Sequence, residues 1–159
     1  MKKTALLLAA FLAAPVQALP PPGTPVETIT YRSGACFGRC PIYEVAVNSN
    51  GSATFNGINF TAVTGARSFR ITSAQYRAFA AWLAPLRPAR GSRDYSGPPL
   101  CRQIATDLPS ADVTWRSRRG EQRLHYYYGC DMEKNQAMAR RLSHAPDLLP
   151  IRDFIGAQR

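Results

Sequence analysis

Acids, histidine and lysine are all scarce in this chain of 159 residues. Ten acids stand against 20 basic residues, and apart from Lys2, Lys3 and Lys134 every cation is an arginine. His125 and His144 are the only histidines, so a histidine-based site has two candidates. No nucleophile-elbow motif is present, and a hydrolytic triad built from Asp107, His125 and a serine has no further sequence support. No internal repeat appears. The one long apolar run, Thr4 to Ala14, is too short to span a membrane.

That run has another reading. Lys2 and Lys3 precede it, and Val16-Gln17-Ala18 closes it with the small-x-small pattern of a signal-peptidase site. The expected product begins at Leu19. No cysteine stands at the end of the run, which argues against a lipid-anchored lipoprotein. The chain is therefore expected in a bacterial periplasm or outside the cell. Removing Lys2 and Lys3 from the 20 basic residues leaves 18 against 10 acids, a charge of about +8. Arginine suits bidentate contact with carboxylate or phosphate. Nucleic acid is a poor partner for an exported protein, so the expected partner is an anionic envelope component, a polymer or a lipid headgroup.

The compartment decides how to read Cys36, Cys40, Cys101 and Cys130. An even count in an oxidising space implies a disulfide framework before it implies zinc or catalysis. Four cysteines allow three pairings, and spacing alone does not choose among them. The expected pairs are Cys36 with Cys40 and Cys101 with Cys130. Gly34 and Gly38 let the first loop turn tightly, and the second bond would tether a long loop to a strand end. No metal or organic cofactor is expected.

Residues 19–26 are proline-rich and read as a linker, and 27–156 read as one domain. Glu27 to Arg32 and Ile42 to Asn48 alternate as strands. Ser49-Asn50-Gly51 is turn chemistry. A three-residue loop with Gly51 in the left-handed region pairs Val47 with Ala53 and Val45 with Phe55, which keeps the apolar set on one face. Ile58 to Val63 and Arg67 to Ile71 read as two more strands. Thr72 and Gln75 form a capping box ahead of a helix carrying Tyr76, Phe79, Trp82, Leu83 and Leu86, and Pro85 and Pro88 end it. Arg87 to Ser110 reads as an irregular loop.

Val113 to Ser117 and Gln122 to Tyr128 form a hairpin. A turn at Arg119-Gly120 would place Trp115 opposite Leu124 and Arg116 opposite Arg123. Like charges in that position need an acid, solvent or a bound anion. Arg116, Arg118 and Arg123 are thus the candidate anion-binding residues. Glu133 to Leu142 reads as a second helix, interrupted at Ala145-Pro146, and Leu148 to Ile155 as a short amphipathic close. The expected fold is α+β: an antiparallel sheet of about five or six strands built from hairpins, with two or three helices on one face.

The run Gly34-Ala35-Cys36-Phe37-Gly38-Arg39-Cys40-Pro41-Ile42-Tyr43 resembles a bacterial family with a G-x-C-F-G-x-C-P-x-Y motif, domain-of-unknown-function family 6438. Asn50-Gly51, Thr106-Asp107-Leu108-Pro109 and Tyr127-Tyr128-Gly129 fit the same pattern, and the resemblance covers roughly Tyr31 to Ile155. It implies an exported domain of no established activity and carries over no catalytic residue. Cys-x-x-x-Cys-Pro is also similar to the copper motif of Sco-type chaperones, which have a thioredoxin-like fold, with His125 or His144 to complete a Cu(I) site. In that fold a helix follows the motif and lowers the thiol pKa, whereas here Pro41 leads into a strand. The leading expectation is a non-enzymatic, disulfide-stabilised binding or structural module, with no catalytic residue assigned. The alternative is a periplasmic thiol-disulfide or copper-binding protein acting through Cys36 and Cys40. Zinc held by all four cysteines is disfavoured because Cys101 and Cys130 stand far apart in the chain.

Overall fold

The structure is a computed structural model that describes residues 26–156. The expected signal peptide and the linker up to residue 25 lie outside the described residues. Seven strands alternate with short helices in the order β1 (Thr28–Ser33), β2 (Ile42–Asn48), β3 (Ser52–Asn59), β4 (Gly65–Arg70), α1 (Ser73–Leu83), β5 (Ser92–Tyr95), β6 (Ser110–Ser117), β7 (Gly120–Tyr127), α2 (Gln136–His144) and α3 (Arg152–Ile155). Single 3-10 turns at Ala84–Leu86 and Ala145–Leu148 follow α1 and α2. The strands form one sheet, β4-β3-β2-β1-β6-β7-β5. Every pairing is antiparallel except that of β5 with β7. The fold is a small α+β domain, as the alternation implies, but with seven strands and a parallel edge.

The period of two in the sequence becomes a two-sided sheet. Ile29, Tyr31, Val45, Val47, Phe55, Val113, Trp115, Leu124 and Tyr126 all point into the core and are at most 3% exposed. Phe79 and Leu83 of α1, Leu142 of α2, and Leu149 and Ile151 close that core from the helix side. Thr30, Arg32, Glu44, Thr54, Asp112, Thr114 and His125 take the alternate positions and stay half-buried or exposed.

The first hairpin has the expected register: Val47 pairs with Ala53 and Val45 with Phe55. Gly51 sits at φ 84° and its N–H donates to the Asn48 carbonyl at 2.9 Å, so the turn needs a residue without Cβ strain. The capping box on α1 is also present: Thr72 Oγ1 accepts from the Gln75 N–H, and Gln75 Oε1 accepts from the Thr72 N–H.

Four expectations are corrected. Ile58 to Val63 is not a separate strand. β3 runs through to Asn59, the chain reverses at Phe60 (φ 54°), and Ala62 and Val63 donate their N–H groups to the Ile155 and Phe154 carbonyls. The reversed segment crosses Gly57 so closely that a Cβ there would lie 1.8 Å from the Val63 carbonyl oxygen. The Arg87 to Ser110 loop contains β5, whose residues are exposed but for a half-buried Tyr95. The second helix begins at Gln136 because residues 131–135 turn around the disulfide end first, where Asn135 Nδ2 donates to the Cys130 carbonyl. Trp82, placed in the core stripe by its spacing, is 36% exposed. Its indole N–H donates to the Arg141 carbonyl at 2.7 Å, Arg141 Nη1 donates to the Trp82 carbonyl, and the guanidinium lies 4.8 Å from the indole centroid. Trp82 thus bolts α1 to α2.

Candidate anion-binding cleft

The second hairpin differs from its expected register by two residues. Ser117 pairs with Gly120, so the two turn residues are Arg118 and Arg119 and not Arg119 and Gly120. A slip of two leaves Val113 and Trp115 on the core face but changes their partners, Val113 meeting Leu124 and Trp115 meeting Gln122. It also places Arg116 opposite Glu121 in place of Arg123, exchanging a like-charge pair for an attractive one. Arg116 Nε donates to Glu121 Oε2 at 2.7 Å, and Arg123 Nε donates to Glu121 Oε1. Hydrogen bonds from Arg116 and then Arg123 hold the Glu121 carboxyl below its usual range.

Around this turn opens a cleft of about 990 Å³. Glu27, the segment Arg87–Gly91 and the hairpin tip Ser117–Gln122 line it. Arg87 is tied into the wall: Nη1 donates to Glu27 Oε1 at 2.7 Å, and Nε and Nη2 donate to Gln122 Oε1 at 3.0 and 2.7 Å. The other Glu27 oxygen accepts from Tyr76 Oη at 3.0 Å. Both acids of the cleft are therefore engaged. Arg90, Arg118 and Arg119 line the same cleft, are exposed, and have no carboxylate in ion-pair distance among the described residues.

Of the three arginines singled out from the sequence, the structure puts Arg118 in the cleft and Arg116 and Arg123 on the Glu121 that forms part of its wall. The sequence reasoning missed Arg90 and Arg119. Arg119 was hidden by the register. Arg90 stands on the segment that leads into β5, where the Gly91 carbonyl accepts the Arg123 N–H at 3.0 Å.

The other candidate residues sit elsewhere. Cys36 pairs with Cys40 and Cys101 with Cys130, with Cα separations of 5.8 and 5.4 Å, the expected connectivity. Cys36 and Cys40 are partly exposed, whereas Cys101 and Cys130 are 1% and 0% exposed. Because the sulfurs are bonded in pairs, the four cysteines do not form one zinc set. Among the described residues the one close group of ligand-type side chains is Cys101, Cys130 and Asp131. Its two sulfurs are bonded to each other, and the Asp131 carboxylate accepts the backbone N–H groups of Gln103 and then Arg102, which hold its pKa low. His125 Nδ1 lies 2.6 Å from Asp112 Oδ1, and His144 Nδ1 lies 3.0 Å from Asp147 Oδ2, so each histidine is matched with an acid on its own strand pair or helix end. Asp107 stands apart from His125, in the loop that supports the Cys36–Cys40 turn: its carbonyl accepts the Phe37 N–H at 3.2 Å.

Comparison with known proteins adds the family and nothing narrower. No curated protein and no solved structure matches the chain. The family profile described as a domain of unknown function, DUF6438, matches residues 27–146, and the chain belongs to that family.

Proposed function

We propose that this protein is a non-enzymatic, exported binding module that holds an anionic group of an envelope component, a phosphate or carboxylate, in the cleft at the β6–β7 turn. One observation carries the reading: Arg90, Arg118 and Arg119 converge on a cleft whose two acids are already neutralised from within. A guanidinium fork matches the planar, bidentate geometry of such anions. Arg116 and Arg123 contribute from behind the wall by holding Glu121 away from an incoming anion. The signal-like pattern of Met1 to Ala18 and the two disulfides support an exported, oxidising location.

Sulfate and inorganic phosphate are the probes. Each is expected to raise the Tm of the wild type by several degrees more than that of the Arg118→Ala/Arg119→Ala double variant. Arg116→Ala removes one of the two guanidinium partners of Glu121 and is expected to show a smaller shift than the wild type. Equal shifts in the wild type and the double variant refute the cleft.

A second reading rests on the difference in exposure between the two disulfides. A half-exposed Cys36–Cys40 bond in a short loop has the accessibility of an exchangeable disulfide. Reduction of that bond alone at a mild glutathione potential, with the fold intact, would move the function to thiol-disulfide chemistry.

A further inference from the structure

The cleft at the β6–β7 turn carries more positive charge than one phosphate or carboxylate can answer. Six arginines line it or are bonded to its wall: Arg87, Arg90, Arg118 and Arg119 in the lining, Arg116 and Arg123 on Glu121. Two acids stand against them, Glu27 with Arg87 and Glu121 with Arg116 and Arg123. With both acids ionised, four positive charges remain in excess. Arg93 and Asp94, next along β5, add one charge of each sign and leave that excess unchanged. The segment that brings Arg87 and Arg90 to the cleft belongs to an acid-free stretch, residues 45–93, which holds no Asp or Glu. A phosphomonoester carries about −1.5 to −2 near pH 7, which leaves roughly two of the four charges unanswered. Two linked phosphoryl groups carry roughly −3.

The cleft is also larger than one such group. Its volume of about 990 Å³ is that of a site enclosing a whole organic ligand, for which about 300–1,000 Å³ is usual. Its lining favours few bodies of that size. Apart from the arginines, Glu27, Glu121 and Gln122, it consists of alanine, proline, glycine and serine. It offers no aromatic ring for a base or a sugar to stack on and no large aliphatic wall for an acyl chain. What it suits is negative charge extended over several atoms.

The arginines come from two walls. Arg118 and Arg119 are neighbours at the hairpin tip, and Arg90 stands on the segment before β5. A carboxylate offers two oxygens in one plane, which a single guanidinium fork fills. Linked phosphoryl groups offer oxygens in several directions, so forks from both walls can bond different groups of one ligand. Spread over two groups, the guanidinium ions also avoid the like-charge repulsion of crowding on one. The wall behind them is fixed: Arg87 is held by Glu27 and Gln122, and Glu27 in turn by Tyr76.

We propose, resting on the anion-site reading of this cleft, that its ligand carries at least two linked phosphoryl groups. That chemistry is shared by a diphosphate ester, as in a lipid-linked headgroup, and by a free condensed phosphate.

Isothermal titration calorimetry of the disulfide-intact protein, at about 0.15 M ionic strength and without divalent cations, compares inorganic phosphate, diphosphate, triphosphate, citrate and isopentenyl diphosphate. Diphosphate is expected to bind at least about tenfold tighter than phosphate, and about tenfold tighter than citrate, whose charge is similar. Arg90→Ala is expected to weaken diphosphate about tenfold and phosphate less than about threefold, because it removes the wall that the second phosphoryl group meets. Arg67→Ala, on the opposite edge strand β4, lowers the net charge equally and is expected to leave each Kd within about twofold of the wild type. The sources separate on the ester. Isopentenyl diphosphate binding as tightly as diphosphate, with triphosphate no tighter, assigns the cleft to a diphosphate ester. Triphosphate binding about tenfold tighter again, with the ester weaker, assigns it to a free condensed phosphate. Equal affinity for phosphate and diphosphate, or for citrate and diphosphate, overturns the proposal while the simpler anion site stands. Equal losses in Arg67→Ala and Arg90→Ala also overturn it, since the ligand would then read only overall charge. No binding of any of these anions overturns the anion site itself.

Discussion

Replacing Cys101 and Cys130 together by alanine opens a ring spanning 29 residues that ties the loop before β6 to the end of β7. The loop-entropy relation assigns roughly 3.5 kcal/mol to a ring of that size and roughly 2 kcal/mol to the Cys36–Cys40 ring, which spans four. Burial widens the gap. Cys101 and Cys130 lie in the core, so removing their sulfurs also leaves a small void, whereas the sulfurs of Cys36 and Cys40 are partly in water. The expected losses are about 4 kcal/mol for the Cys101→Ala/Cys130→Ala pair and about 2 kcal/mol for Cys36→Ala/Cys40→Ala. In a domain of this size those correspond to Tm falls of roughly 12 and 6 °C.

Urea unfolding of the three proteins without reductant measures both losses. Titration with glutathione under native conditions measures the order of opening, which is expected to begin with Cys36–Cys40, because the sulfurs of Cys101–Cys130 reach solvent only when the end of β7 separates from its loop. An equal or smaller loss at Cys101/Cys130, or its reduction before Cys36–Cys40 in folded protein, would refute the reasoning from ring size and burial.

Two further outcomes follow from the core. Tyr31, Tyr43 and Tyr128 are pushed up by burial, Tyr128 to about 12, so the folded protein binds phenolic protons more tightly than the unfolded chain does. Their contribution is present in full below the unfolded tyrosine value near 10 and is lost as pH rises through 12; circular dichroism is expected to show alkaline unfolding in that window, and unchanged stability from pH 9 to pH 12 would contradict it. Gly57→Ala puts a Cβ 1.8 Å from the Val63 carbonyl oxygen and is expected to cost about 2–4 kcal/mol in urea unfolding; a loss below 1 kcal/mol would mean that the residue 60–64 crossing moves freely.

The parts of the fold that the sequence states are those where one local rule acts alone. Tyr43, Val45 and Val47 alternate without interruption, and of the turns that Asn50-Gly51 allows the three-residue loop keeps Ala53 and Phe55 on their face, so the first hairpin and its register are legible. The capping box at Thr72 is local to four residues. Strand β5 obeys no such rule. It is four residues long at the sheet edge, buries only part of Tyr95, and pairs in parallel with a strand that follows it by some thirty residues. Its alternation has no apolar half, so nothing in Ser92-Arg93-Asp94-Tyr95 separates it from a loop. Ile58 to Val63 fails for the opposite reason. It is apolar enough for a strand of its own, but Ile58 and Asn59 belong to β3, and the N–H groups of Ala62 and Val63 are taken by the carbonyls of α3, nearly a hundred residues away.

The candidate site shows the same division at a finer scale. Both registers of the second hairpin keep Val113, Trp115, Leu124 and Tyr126 on the core face, because a slip of two preserves the side-chain period. Hydrophobic pattern therefore cannot choose between them, and the glycine at 120 drew the turn one residue too far along. Electrostatics does choose: one register sets Arg116 against Arg123, the other sets Arg116 against Glu121 with Arg123 diagonal to it on the same face. The unfavourable pairing that first marked these arginines as an anion site is thus resolved by an acid five residues from Arg116. What that acid neutralises at 116 and 123 it leaves open at the turn. Arg118 and Arg119 extend past the last paired residues, beyond the reach of Glu121, and line one cleft with Arg90, which stands just before the edge strand. The anion-binding potential moves by one strand position, from the face of the hairpin, where both guanidinium groups bond Glu121, to its tip, where Arg118 and Arg119 have no carboxylate in ion-pair distance among the described residues.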